Sequence, residues 1–269
     1  MLELINKVKD LYPLFLHYTN DVTINDCANI TLALGASPLM SYSNEEVEEI
    51  VSIASSVVIN IGTMNSNRLD LFLQAGKAAN KFNKPVILDP VGVFATKTRT
   101  DFTNKLLNKI KFDVVKGNVA EIKFIGGLDV RGQGVDSFDD GEDISEVIKK
   151  VAKKLGCIVV ATGKVDFISD GNTVIKIFNG TSKLKSVTGT GCMTGSLIGS
   201  YLGAYNSLEG RERDNFKKVE VVAMGVLTMA VSGELADKDN IAIGTFKEEL
   251  MNNVYEMNID KLKEYGRIE

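Results

Sequence analysis

Residues 86–92 read Val86-Ile87-Leu88-Asp89-Pro90-Val91-Gly92. Three branched apolar residues run into a carboxylate, a proline and a glycine, which is how a short buried strand ends in a polar turn. The same figure recurs on either side. Upstream, Val57 to Ile61 runs into Gly62-Thr63-Met64-Asn65; downstream, Val114-Val115 runs into Lys116-Gly117-Asn118, and Ile158 to Val160 into Thr162-Gly163. Amphipathic segments lie between these runs, one opened by Ser43 with Glu46 three residues on and another by Asn118 with Glu121 in the same relation, both helix-start signatures. Short apolar strands alternating with helices predict an α/β fold with a mostly parallel central sheet and helices on both faces. The run from Phe167 to Ile175 breaks the alternation around Asp170-Gly171-Asn172, so a hairpin is expected to add an antiparallel edge. Beyond Thr188 the chain reads as helical nearly to its end, and the apolar stretch from Val219 to Ala236 is expected to be buried.

Composition narrows the function. The chain has 269 residues, 44% of them hydrophobic, enough for a sizeable core, and no proline- or glycine-rich linker divides it, so one domain over 1–269 is expected. A net charge of −4 with scattered basic residues offers no field for nucleic acid. The sequence shows no apolar run of the length expected of a membrane-spanning helix and no basic-then-apolar leader, which points to a cytoplasmic protein without membrane partners. Cys27, Cys157 and Cys192 are too few and too scattered for a disulfide framework or a CxxC metal site. Cys157 reads as a small core residue at a strand start, and Cys27 lies on an N-terminal helix. The charged stretches 149–154 and 206–218 read as solvated faces.

In open α/β sheets ligands bind beyond the carboxyl ends of the strands. Here those ends would bring glycines, the Asp89 carboxylate, the Lys116 cation and the Thr162 hydroxyl to one crevice. Any one of them could simply terminate a strand; their coincidence favours a site. The stretch Val187-Thr188-Gly189-Thr190-Gly191-Cys192-Met193-Thr194-Gly195 feeds a Gly-x-Gly turn straight into an apolar helical pattern. Unpaired N–H groups at such a helix start make an anion hole, and a transferring phosphoryl group is such an anion. The stretch lacks the Gly-Lys-Ser/Thr ending of a Walker loop. It also comes too late in the chain for the dinucleotide fingerprint, which argues against a nicotinamide dehydrogenase.

Thr188-Gly189-Thr190-Gly191-Cys192-Met193 resembles the anion-hole motif of the hydroxyethylthiazole kinases, members of the ribokinase-like superfamily. The likeness extends to Thr19-Asn20-Asp21-Val22, Asn25-Asp26-Cys27-Ala28-Asn29 and Ala33-Leu34-Gly35-Ala36-Ser37-Pro38-Leu39-Met40. It continues, in family order, through Asp89-Pro90-Val91-Gly92, Lys116 to Ile122 and Thr162 to Asp166, covering roughly residues 10 to 240. A cysteine after Thr-Gly-Thr-Gly is distinctive, because most ribokinase-like kinases carry aspartate there.

The resemblance implies a ribokinase-like three-layer sandwich that phosphorylates the primary alcohol of 4-methyl-5-(2-hydroxyethyl)thiazole with ATP and Mg2+ in thiamine salvage. It also implies a homotrimer with active sites between subunits. Residues 189–192 (Gly189, Thr190, Gly191, Cys192) would form the anion hole, with Cys192 near the attacking hydroxyl. Met40, Gly189 and Asn25 fall at thiazole-binding positions, Lys116 and Thr162 at ATP-binding positions, and Asp89 and Glu121 at those of the acidic pair that holds magnesium directly or through water. On its own, Met40 would read as core.

Four positions depart from the family pattern. Lys116 stands where arginine is usual, so a point charge replaces a fork. Leu16 stands where histidine is common, with His17, the only histidine, one position later and free to be a surface residue. Phe94 replaces a glycine, and Ala242-Ile243-Gly244-Thr245-Phe246 replaces a Gly-Pro-Gly-Ser-Phe-like segment. A kinase for another heterocyclic alcohol, such as hydroxymethylpyrimidine or a pyridoxal-like vitamer, and a catalytically weak sensor of thiazole or nucleotide are the competing readings. The helix N-terminus is expected to lower the Cys192 thiol pKa from its reference value of about 8.5.

Overall fold

The computed structural model describes residues 1–128 and 143–269. In chain order its elements are α1 (Leu4–Leu11), β1 (Leu14–Tyr18), α2 (Ile24–Leu34), β2 (Ser37–Met40), α3 (Val47–Ile53), β3 (Ser56–Asn60), α4 (Arg68–Lys81), β4 (Val86–Asp89), α5 (Lys97–Lys109), β5 (Val114–Asn118), α6 (Val119–Gly126) and α7 (Ile144–Leu155). There follow β6 (Ile158–Thr162), β7 (Asp166–Ser169), β8 (Val174–Ile177), α8 (Thr190–Ser207), α9 (Gly210–Asp214), α10 (Lys218–Ala236), α11 (Ile243–Tyr255) and α12 (Ile259–Tyr265).

The strands form one sheet in the order β2-β1-β3-β4-β5-β6-β7-β8. Pairing is parallel from β2 through β6 and antiparallel between β6, β7 and β8. The expected edge hairpin is present, and Asp170 closes it by accepting from the N–H groups of Asn172 and Thr173. The parallel strands inside the sheet are apolar on both faces because helices cover both. Val57 and Ile59 point towards α3, α4 and α5, whereas Val58 between them points into the core shared by α1, α2, α8, α10 and α11. This is the predicted three-layer arrangement.

Helix α8 carries the glycine-rich turn and lies directly on the sheet. A Cβ on Gly199 would come within 2.0 Å of the Phe15 ring on β1, so only glycine lets the helix settle this close. Leu197, Ile198, Tyr201 and Leu202 are fully buried beneath and beside it, each large apolar side chain contributing about 1.5–3 kcal/mol. Helix α10 packs against α8 in turn. Contrary to the sequence expectation, this 19-residue helix is long and apolar enough to cross a membrane, but 83% of its apolar window is buried in the fold.

Four further expectations need correction. Two strands, β1 and β2, precede the run at Val57. Helix α3 begins at Val47 rather than near Ser43, because Glu46 accepts from Ser41 and Ser43 turns to Glu45, so no reciprocal cap forms. By contrast, the Asn118–Glu121 capping box is complete. His17 is buried rather than superficial: its ring nitrogens meet the Phe15 carbonyl and the Ser196 hydroxyl, each at 3.1 Å. A carbonyl can only accept, so Nδ1 carries the proton and Nε2 accepts from Ser196; burial pulls the imidazole down to about 4 and keeps it neutral. Cys157 is half-buried, just ahead of β6, whereas Cys27 is fully buried on α2.

Candidate active site

The parallel register aligns the ends of neighbouring strands, with Asn60 on β3 opposite Asp89 on β4. All three groups at the floor of the crevice, Asn60, Asp89 and Lys116, are at most 4% exposed. Asn60 Nδ2 donates to Asp89 Oδ2 at 3.0 Å, and Lys116 Nζ lies 3.5 Å from the same oxygen. Burial raises the Asp89 carboxyl pKa above the ordinary range, and Lys116 pulls against it. Burial lowers the Lys116 pKa, but the acidic groups around it, Asp89 first, outweigh burial and keep the ammonium protonated. A buried ammonium with one long ion pair retains donor capacity for a second anion.

Above this floor stands the N-terminus of α8. Its N-cap, Gly189, has φ +93°, a left-handed conformation costly for any side chain, and a Cβ there would strike Thr23 at 2.7 Å. No side chain caps the helix. The first N–H groups of a helix have no intrahelical acceptor, so this end is left for a ligand. A Cβ on Gly191 would stand 3.2 Å from Lys116 Nζ, which sets the lysine directly under the turn. Uncapped backbone donors and a buried cation thus face the same space, an arrangement suited to phosphate oxygens.

Cys192 sits in the first turn of α8. Its Sγ receives Asn60 Nδ2 at 3.2 Å and Asn20 Nδ2 at 3.4 Å, and Asn20 also donates to Asn60 Oδ1 at 3.0 Å. Burial, and next the charge of Asp89, push the thiol pKa upward against Lys116, Thr23 and Asn60, so the expected lowering does not occur. Cys192 is a neutral thiol held by two amides.

Glu121 reaches the crevice from the start of α6. Its Oε1 accepts from Gly92 N–H at 2.7 Å and its Oε2 from Asn118 N–H at 2.8 Å, so it braces the turn after β4. Asp89 differs: both of its side-chain contacts fall on Oδ2, and Oδ1 keeps acceptor capacity. A magnesium ion usually keeps several waters and takes one or two carboxylates together with phosphate oxygens. The pair fits that demand, Asp89 as the direct or water-bridged donor and Glu121 as an outer partner. Among the described residues no group of three or more metal-ligating side chains occurs.

The structure therefore brings Gly189, Thr190, Gly191, Cys192, Lys116, Asp89 and Glu121 together. Thr162 lies one strand over from Lys116, its hydroxyl on the Gly117 carbonyl at 3.3 Å. Met40 ends the edge strand β2, paired in register with His17 and half-buried. Asn25 does not join the cluster within one chain; it is exposed on α2 and accepts from the Asn29 amide. Sequence reasoning missed Asn20, Asn60 and Thr23 as site residues. Asn20 lay inside a matching block, and Asn60 inside a strand run, where asparagine is an unusual choice for a buried position.

A model of the Hydroxyethylthiazole kinase family matches residues 5–260. The "Hydroxyethylthiazole kinase" of Clostridioides difficile (strain 630) is 64% identical to this chain over 269 residues, covering 100% of this chain and 99% of that protein. That of Alkaliphilus oremlandii (strain OhILAs) is 44% identical over 98% and 96% of the two chains. Among solved structures, the hydroxyethylthiazole kinase protein from Pyrococcus horikoshii OT3 superposes with a TM-score of 0.85 at 32% identity, covering 100% of this chain and 97% of that one. The pyridoxal kinase from Staphylococcus aureus in complex with ADP superposes at 0.62 with 14% identity over 95% and 97% of the two chains, a likeness of ribokinase-like fold alone. On this coverage and identity, the chain belongs to the hydroxyethylthiazole kinase family and is a phosphotransferase.

Proposed function

We propose that this protein transfers the γ-phosphoryl group of ATP to the primary alcohol of 4-methyl-5-(2-hydroxyethyl)thiazole, a thiamine-salvage reaction, with Mg2+ bound at Asp89 and Glu121. The observation that carries the reading is the uncapped N-terminus of α8 standing over buried Lys116, with Cys192 beside both. The alcohol oxygen forms a bond to the γ-phosphorus in line with the β–γ bridging oxygen, whose bond to phosphorus breaks as ADP leaves. The backbone N–H groups of residues 189–192 hold the transferring oxygens, Lys116 and Thr162 hold the nucleotide phosphates, and Met40 and Gly189 hold the thiazole. When bound, the metal neutralises charge on the phosphates. Cys192, a neutral thiol, orients the hydroxyl without acting as its base; the hydroxyl proton leaves late, to an oxygen of the transferred phosphoryl group, which a loose transition state tolerates.

Residues 1–269 act in this reading as one cytoplasmic kinase domain, assembled as a homotrimer. Two features of one chain favour assembly. Met40 lies on an edge strand, and Asn25 shares α2 and the turn before it with Leu32 and Val22, which are 57% and 65% exposed, so a neighbouring subunit would complete the thiazole pocket. The test is a panel of alcohols, namely the thiazole, hydroxymethylpyrimidine and pyridoxal, assayed for ADP release with ATP and magnesium, alongside the mass in solution. Turnover confined to the thiazole supports the reading; turnover of another alcohol, or of none, overturns it.

A further inference from the structure

We infer that Arg99 is a positioning residue for phosphoryl transfer, holding the turns after β3 and β4 at a fixed separation. Arg99 lies in the first turn of α5, where its N–H is capped by Thr96 Oγ1 at 3.2 Å. Its half-buried guanidinium donates from Nη1 to the Ile61 carbonyl at 3.0 Å and the Val91 carbonyl at 2.8 Å, and from Nη2 to the Gly62 carbonyl at 2.7 Å. Ile61 and Gly62 follow β3; Val91 belongs to the turn after β4. One planar fork thus bridges the exits of two adjacent strands, and its partners are backbone carbonyls.

What those strands carry gives the bridge its consequence. Asn60 ends β3 and Asp89 ends β4, and the Asn60 amide spans both Asp89 and Cys192 with contacts of 3.0 and 3.2 Å. The turn after β4 is held from its other side as well, since Gly92 N–H donates to Glu121. Release of the Arg99 side leaves the turn on Glu121, on the bond from Ile61 N–H to the Asp89 carbonyl at 3.1 Å and on that from Thr100 Oγ1 to the Val93 carbonyl at 2.8 Å, and loosens the placement of Asp89 against Asn60 and Cys192. A displacement of about 1 Å at reacting groups costs on the order of 10²-fold in rate. Arg99 reaches no reacting atom itself, so the loss falls on kcat. Lysine cannot replace it, because a single ammonium cannot present the rigid fork that meets two turns at once.

This role rests on the proposed reaction, and wild-type turnover of the thiazole alcohol tests that reaction first. If the wild-type protein prefers another alcohol of the panel, Arg99 is examined with that alcohol, so the two failures remain distinct. Arg99→Ala and Arg99→Lys are compared with wild type by steady-state kinetics in both substrates, thermal melting, and turnover with and without millimolar guanidinium. Expected are a kcat loss of roughly 10²-fold in Arg99→Ala, a smaller loss in Arg99→Lys, KM values near wild type, cooperative melting, and partial recovery of Arg99→Ala by guanidinium. If Arg99→Ala does not fold, Arg99→Lys carries the same kinetic split. Unchanged kcat, a loss confined to KM, or a loss that merely tracks the unfolded fraction would overturn the inference.

Discussion

Asn60 Nδ2 lies 3.2 Å from Cys192 Sγ while also donating to Asp89 Oδ2, so one amide group joins a strand-end carboxylate to the first turn of α8. An amide has two hydrogens, one for each partner, and its oxygen accepts from Asn20 and from Gly62 N–H. Truncation to alanine leaves Asp89 with Lys116 alone and takes the Oδ1 acceptor from the buried Asn20 amide and the half-buried Gly62 N–H. Asn60→Ala is expected to lower kcat by roughly 10- to 100-fold and stability by about 1–3 kcal/mol. Steady-state kinetics and urea unfolding check both; wild-type kcat in a folded Asn60→Ala protein would show that the bridge is incidental.

The acidic pair should separate by role. Asp89→Ala removes the carboxylate that keeps acceptor capacity towards the crevice, and activity should become negligible at any magnesium concentration. Glu121→Gln keeps one acceptor for Gly92 N–H or Asn118 N–H, so activity should be partly retained and the magnesium requirement shifted to higher concentration. A magnesium titration of the three proteins decides. Full wild-type activity in excess chelator would remove the metal from the mechanism altogether.

Lys116→Arg restores the fork that the family pattern carries. A guanidinium can meet two phosphate oxygens at once, so a lower KM for ATP is expected, with kcat little changed. The opposing factor is space, because Lys116 is buried and already lies 3.2 Å from where a Cβ on Gly191 would be. A raised KM for ATP would mean that the pocket is shaped around lysine.

Much of this arrangement was legible because strand exits in a parallel sheet converge, and the exits after Ile61, Leu88, Val115 and Ala161 carry residues whose chemistry is recognisable singly. The first two strands were not. Leu14-Phe15-Leu16-His17-Tyr18 has no β-branched residue, and Ser37-Pro38-Leu39-Met40 is a four-residue edge strand containing proline, a residue that edge positions tolerate. Asn20 and Asn60 lie forty positions apart and meet only through the β1–β3 pairing, a relation no local pattern encodes. The Ser43–Glu46 spacing misled for a related reason: Ser41 competes for Glu46.

Asp166 yields a pH prediction. Its Oδ1 accepts from Gly163 N–H at 2.9 Å, which shapes the turn after Thr162, yet burial pushes its carboxyl up to about 7. A carboxyl whose folded pKa exceeds its unfolded value stabilises the fold fully below the unfolded value of 3.8, and that contribution is lost as pH rises through about 7. Asp166→Asn keeps the acceptor for Gly163 and removes the ionisation cost. Relative to wild type it should therefore gain stability between these limits, with the full gain above the folded pKa. Urea unfolding at both ends of the window tests this; a stability difference that does not vary with pH would place the Asp166 pKa near its ordinary value.

Cys192 occupies the position at which most ribokinase-like kinases carry aspartate, and its surroundings are already suited to a carboxylate. Two amide donors converge on Sγ, the helix N-terminus lies beside it, and Lys116 is close enough to lower its pKa. What opposes a second carboxylate is burial first and then the charge of Asp89, both of which already raise the thiol pKa. A carboxylate starts from a reference pKa far below that of a thiol, so, unlike a thiol held neutral by burial, it stays ionised at working pH and can accept the hydroxyl proton. Cys192→Asp is therefore expected to keep or raise kcat. Cys192→Ala loses a group that orients the hydroxyl, but the anion hole and Lys116 remain. Because a neutral thiol is not a base, the turnover of this variant should fall by less than the factor of about 10² to 10⁴ typical of a missing general base. The pH profiles separate the variants further: kcat of Cys192→Asp should gain an acidic limb set by the pKa of the new acceptor. Steady-state kinetics of the three folded proteins with the thiazole alcohol, ATP and magnesium make the comparison. An inactive aspartate variant that still binds both substrates would mean that sulfur supplies chemistry a carboxylate cannot.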